Sequence, residues 1–331
     1  MDYKMLHGAG SRAASSRSTV EGDGPEGILS LPSALPDGAF EVVEEVESLL
    51  AAAGERAPEA LVEPALEALT SEGKRLRPLL LVLCARMGEP ERGDLLRAGV
   101  AIEVLHTATL IHDDIVDRAE SRRGEPTTVA RYGRETAVAA GDYLFAEAFS
   151  ELAEIGDPRL VRAFSEASEG LAAGELEQYR ASGATVDVEA YLEHIRKKTA
   201  GLFKAACVAG GTLGGLSLRQ IDSLATYGQA LGIAFQMSDD IMDLVGKPGL
   251  MGKGIGTDLA EGTMTLPVIF ALKGSYAQTI RKVLATDAVT RTEAWARTEI
   301  DGALEGLGLL PDGPEREFLE VIASEVVGRD A

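Results

Sequence analysis

From about Phe40 onward, apolar residues recur three and four positions apart, as in FEVVEEVESLLAAAGE, PEALVEPALEALTSEG and RPLLLVLCARMG. That spacing lays an apolar stripe along one face of a helix, and breakers containing Gly or Pro separate the stripes. The same pattern predicts helices over 97–117, 136–155, 158–178, 188–209 and 218–244, with three or four shorter pieces after Leu266. No stretch alternates apolar and polar positions with the β-branched and aromatic content of a strand, so the predicted fold is all-α. No linker is long enough to separate a pair of domains, and one helical bundle over 28–331 is the economical organisation. Residues 1–27, rich in Gly, Ser and charge and lacking the apolar segment of a signal peptide, are expected to be a disordered tail. A Ser/Arg run over 11–18 bears only a faint likeness to a transit peptide.

Of the 331 residues 45% are hydrophobic but only 5% aromatic, so the core must be built mainly from Ala, Leu, Val and Ile. The 53 acidic against 32 basic side chains leave a net charge of −21, which argues against a nucleic-acid partner. Cys84 and Cys207 each sit in an apolar stretch rather than a CxxC pair, and are expected to be buried free thiols in a reducing cytoplasm. No apolar run approaches the roughly 18 residues of a bilayer span, so no transmembrane segment is expected.

The acidity is concentrated in one repeated pattern. Asp113, Asp114 and Asp117 form DDIVD, and Asp239, Asp240 and Asp243 form DDIMD, each closing a long apolar helical run. Positions i and i+4 share a helix face, so Asp113 with Asp117, and Asp239 with Asp243, each present two carboxylates in one direction. Such pairs repel unless a cation sits between them, and oxygen-only donors favour Mg²⁺, which often also binds substrate phosphates. A solvated acidic face would produce one such string by chance far more readily than two.

Three basic groups answer the aspartates. Lys74 and Arg77 stand three apart where an apolar helix begins, a place suited to an anion. Arg122 and Arg123 precede Gly124 in a loop just after Asp117, and Lys197, Lys198 and Thr199 interrupt an apolar helical run. His106 lies two turns before Asp113 on nearly the same face and is read as functional, whereas His112 is read as structural.

Seven blocks in one order carry a resemblance: GKRLRP at 73–78, EVLHTATLIHDDIVDRAESRRGEPT at 103–127, AGDYLFA at 140–146, GELEQ at 174–178, KKTAGLF at 197–203, FQMSDDIMD at 235–243 and GKGIGTDLAEGTMTLP at 252–267. With them the chain resembles the trans-isoprenyl diphosphate synthase, or polyprenyl synthetase, family. The resemblance implies a bundle around a central cavity in which isopentenyl diphosphate extends an allylic prenyl diphosphate. It further implies that Lys74, Arg77, His106 and Arg123 hold the diphosphate of isopentenyl diphosphate, while Arg122, Lys198, Thr199, Gln236 and Lys253 hold the allylic one. Asp113, Asp117 and Asp239 would ligate about three Mg²⁺ ions shared with substrate. Asp114, Asp240 and Asp243 would support them, and the six aspartates with Lys198 would form the catalytic set. A homodimer is also implied.

Product length is expected to depend on the fifth and fourth residues before the first cluster, Ala108 and Thr109, where short-chain members tend to carry an aromatic floor. Five helical residues span about 7.5 Å, so small side chains there predict a product of about twenty carbons or longer. Thr263 stands where many members have Lys, Gly254 where many have Pro, and the region after Leu266 is expected to be about one helix short. Two other functions compete: a class I terpene cyclase, whose second metal motif is normally not DDxxD, and a regulatory subunit of a synthase, whose aspartates are usually eroded.

Overall fold

The computed structural model describes residues 36, 38–71, 73–181, 186–246, 256–260, 262–271 and 280–328. The expected tail, Lys253 and Gly254 lie outside these residues.

Helices α1 (Ala39–Glu55) and α2 (Val62–Thr70), joined through a single 3-10 turn, lead to α3 (Leu76–Arg86) and α4 (Arg92–Asp117). A hairpin of β1 (Ser121–Arg122) and β2 (Glu125–Pro126) and the short α5 (Thr128–Tyr132) precede α6 (Arg134–Ile155) and α7 (Pro158–Ala181). Next, α8 (Val188–Ile195) passes through a π-helical turn at Arg196–Ala200 into α9 (Gly201–Leu213), and α10 (Leu218–Val245) follows. The described remainder is helical: α11 (Thr257–Ala260), α12 (Leu266–Ala271), α13 (Ile280–Leu284), α14 (Ala288–Leu307) and α15 (Pro314–Val327).

The all-α prediction holds, the antiparallel hairpin being the sole sheet among the described residues. Helix α4 begins five residues before the predicted start because Glu91 caps it, its carboxylate accepting from Asp94 N–H at 2.9 Å. The predicted 188–209 helix is instead divided by the π turn. A single inserted residue leaves the apolar spacing on either side intact, so periodicity passes over it.

Helices α4 and α6 pack along their length, as do α3 with α9 and α9 with α10, around a core dominated by aliphatic side chains. Helix α4 is apolar enough to cross a bilayer by length and composition, with a mean hydropathy of 1.2, contrary to the expectation that no segment would be. Yet 72% of that window is buried against its neighbours, which marks it as the core helix of the bundle. At the far end α15 docks on α10, where Tyr227 O–H donates to the Leu319 carbonyl at 2.7 Å and Ser238 to that of Val326 at 2.8 Å. Cys84 and Cys207 are free and buried, and burial together with the neighbouring Cys207 pushes the Cys84 thiol up.

Candidate active site

The two aspartate motifs end α4 and α10, and in each the middle residue is withdrawn from solvent. Asp114 is 4% exposed and accepts from Arg122 Nε at 2.9 Å, with Nη2 at 2.8 Å. Asp240 is 3% exposed, its Oδ2 accepting from the Tyr191 hydroxyl at 2.6 Å and its Oδ1 from Gln236 Nε2 at 2.9 Å. Asp243 is also buried, and the backbone N–H groups of Asp258 and Gly256 bond its Oδ2 and carbonyl. Asp113 and Asp239 are partly exposed and Asp117 exposed. Burial pushes the Asp113 carboxyl up to about 7, reinforced by Glu175 and Asp117 against the opposing Lys198 and Arg122. Burial does the same for Asp240, to about 7, against its two hydrogen bonds.

The cationic groups converge from three elements. Arg123 and Gly124 occupy the two-residue turn of the hairpin with φ of 54° and 84°, the backbone of a tight primed turn in which Arg is an uncommon occupant. Arg75, at φ 47°, stands before α3. All three described non-glycine residues with positive φ are arginines, and two of them flank this site. A Cβ on Gly73 would lie 3.3 Å from Nη1 of both Arg123 and Arg75, so glycine lets the 73–78 loop and the hairpin close on each other.

Arg77 lies over the Phe203 ring at 4.7 Å, and its buried Nε has no hydrogen-bond partner among the described residues. Burial lowers its pKa to about 10, with Arg123 adding to the effect. His106 is held well below the ordinary imidazole range by burial and by Arg77, Arg123, Arg122 and Arg75, so it is neutral at neutral pH. Lys74 is exposed in the same loop.

The π turn splits its two lysines. Lys197 bonds Glu177 at 2.8 Å, whereas Lys198 turns inward to Glu175 and to Gln178 Oε1 at 2.9 Å, all on α7. Thr199 Oγ1 donates to Gln236 Oε1 at 2.7 Å. Ala108 and Thr109 are buried on α4, and the Thr109 hydroxyl donates to the His106 carbonyl at 2.7 Å. His112 stacks on Phe145 with centroids 5.5 Å apart, and its Nε2 is 3.5 Å from Asp142, a packing role.

A family model described as polyprenyl synthetase matches residues 58–298. The chain belongs to the polyprenyl synthetase family. It is therefore a prenyltransferase of the trans-isoprenyl diphosphate synthase kind. Heptaprenyl diphosphate synthase component 2 of Geobacillus stearothermophilus is 34% identical over 321 residues, covering 92% of this chain and 99% of that protein. Nonaprenyl diphosphate synthase of Mycobacterium tuberculosis is 34% identical, covering 87% and 92%. A polyprenyl synthase from Caulobacter crescentus, solved with calcium and isoprenyl diphosphate, superposes with a TM-score of 0.83 at 32% identity, covering 88% of this chain and 96% of that one.

Membership of this family implies dependence on a divalent metal. Among the described residues no three acidic, His or Cys groups converge closely enough to cage an ion unaided. The oxygen donors that keep exposed surface, Asp113, Asp117 and Asp239, suit a hard cation held by one or two carboxylates per ion and completed by phosphate oxygens and water. Sequence reasoning missed four contributors: Arg75, Glu103, Tyr191 and the Glu175/Gln178 pair. All but Tyr191 lie within one of the seven motifs, but the bonding partner of each is on another element, so nothing local announced its role.

Proposed function

We propose that this prenyltransferase is a Mg²⁺-dependent enzyme that condenses isopentenyl diphosphate with an allylic diphosphate to an all-trans product of about C20 or longer. It would work as a cytoplasmic homodimer. The observation that carries the reading is the division of the aspartates: Asp114, Asp240 and Asp243 are buried and bonded within the protein, whereas Asp113, Asp117 and Asp239 remain at least partly accessible.

In this reading the allylic C–O bond breaks with its electron pair leaving on diphosphate. The double bond of isopentenyl diphosphate supplies the electrons of the new C–C bond, and a proton is then lost to the departed diphosphate. Divalent ions at Asp113, Asp117 and Asp239 would supply Lewis-acid neutralisation of the leaving group. Lys198, fixed by Glu175 and Gln178, and Arg122, fixed by Asp114, would orient the allylic diphosphate, together with Thr199, Gln236 and Lys253. Lys74, Arg77, Arg123 and neutral His106 would hold isopentenyl diphosphate, with the unpartnered Arg77 Nε as one ready donor. Apolar walls keep water from the carbocation.

The test is incubation of the purified chain with isopentenyl diphosphate and farnesyl or geranylgeranyl diphosphate, with Mg²⁺ and with chelator. Elongation that needs metal is expected. A cyclised hydrocarbon, or no product, overturns the proposal.

A further inference from the structure

The structure assigns a positioning role to Tyr191: its hydroxyl, with the Gln236 amide, clamps Asp240 so that Asp239 is left to face the substrate side of α10. This inference rests on the metal-dependent reading above.

Tyr191 lies on α8 and is 4% exposed, and its hydroxyl donates to Asp240 Oδ2 at 2.6 Å. A phenol donating to a carboxylate at this separation is a charge-assisted bond. The other Asp240 oxygen accepts from Gln236 Nε2 at 2.9 Å, one helical turn earlier on α10. The orientation of that amide is set in turn by Thr199, whose hydroxyl donates to Gln236 Oε1 at 2.7 Å. Thr199 belongs to the π turn, so a continuous chain of hydrogen bonds runs from the π turn across α10 to α8.

Consecutive helical residues point about 100° apart, so Asp239 and Asp240 cannot serve the same direction. With both oxygens engaged, Asp240 is fixed in place facing α8. Asp239, partly exposed, sits within the field of Arg77 and Arg123. Removing the Tyr191 hydroxyl leaves a buried carboxylate with one donor fewer. Asp240 and the turn that carries it then gain freedom to rotate, and the Asp239 side chain moves with them.

Tyr191→Phe removes one oxygen from a buried ring and keeps the packing, so it is expected to fold, with an unchanged helical circular-dichroism spectrum. The half-saturating Mg²⁺ concentration should rise about tenfold, the scale of losing one hydrogen bond to a charged group. The KM for isopentenyl diphosphate should stay within about twofold, since the Tyr191 bond is made to the second motif alone. Calorimetric titration of Mg²⁺ into the protein with an unreactive allylic diphosphate analogue should show the same weakening without any turnover. In an Asp240→Asn background, adding Tyr191→Phe should produce little further change, because the two residues act as one unit. Unaltered Mg²⁺ dependence in Tyr191→Phe, or full additivity in the double variant, overturns the inference while leaving the proposed reaction standing. If the parent protein neither binds Mg²⁺ with the analogue nor elongates, the inference falls with the reading beneath it.

Discussion

Arg75 is the residue of GKRLRP that no substrate-based reading of the motif would single out. Its left-handed backbone is costly for a non-glycine residue, and it is held there by side-chain bonds to Glu103 at 2.9 Å, Glu47 at 2.8 Å and the carbonyls of Leu69 and Ser71 at 2.8 and 3.2 Å. Glu103 is 5% exposed on α4, so the pair fastens the loop bearing Lys74, and the first turn of α3 bearing Arg77, to the helix bearing His106. Arg75→Gln should cost about 3–5 kcal/mol in urea denaturation, because it strands a buried carboxylate. It should also raise the KM for isopentenyl diphosphate more than that for the allylic substrate. His106 makes a pH prediction. Its folded pKa is depressed, so the unfolded chain binds the extra proton, and stability present above about pH 6.5 is lost as pH falls, by up to about 1.4 kcal/mol per unit. His106→Gln should therefore lose less stability than the parent between about pH 7 and pH 5 in paired urea titrations. At this scale the aspartates and most cations were legible as residue types in pattern. Arg75, Glu103 and Tyr191 were not, because a buried ion pair or hydrogen bond between helices leaves no trace in local spacing.

Helix α10 carries the second aspartate motif, and its approach to the π turn is set by Gly232. A Cβ there would lie 2.5 Å from Ala200 Cα, a backbone atom that cannot swing aside. Since Thr199 and Gln236 bond across this contact, the closeness of the helices and the geometry of the site are one feature. Gly232→Ala should destabilise the protein by about 1–3 kcal/mol through overpacking. Activity should fall with it, measured by thermal melting beside an elongation assay. The long helices were readable from their 3.6-residue period; the largest shift of an end, at the start of α4, goes with the Glu91 cap, and the predicted 188–209 helix is broken by the π turn. The hairpin escaped the same reading because two residues per strand are too few to show alternation. It is nonetheless the element that turns Arg122 back onto Asp114.

Across the whole molecule, a net charge of −21 opposes the approach of diphosphates, and the arginines around His106 with Lys198 must reverse that sign locally. On the proposed reading, product length would be set at the same scale, by how far a growing chain can run beside α4. Ala108 has no exposed surface there, and Ala108→Phe should shorten the longest product by at least one isoprene unit in a chromatographic assay. The chain alone should be active and elute at twice its own mass. Activity only with a second, different subunit would overturn that expectation, and one relative is itself named as a component. The helical class, the two motifs and the types of their partners follow from the chain read locally, because helix period, capping and i,i+4 spacing are short-range properties. Which aspartates are buried and bonded within the protein, which keep exposed surface, and which arginine anchors the 73–78 segment was decided only by packing, because each answer depends on a partner from a helix distant in the chain.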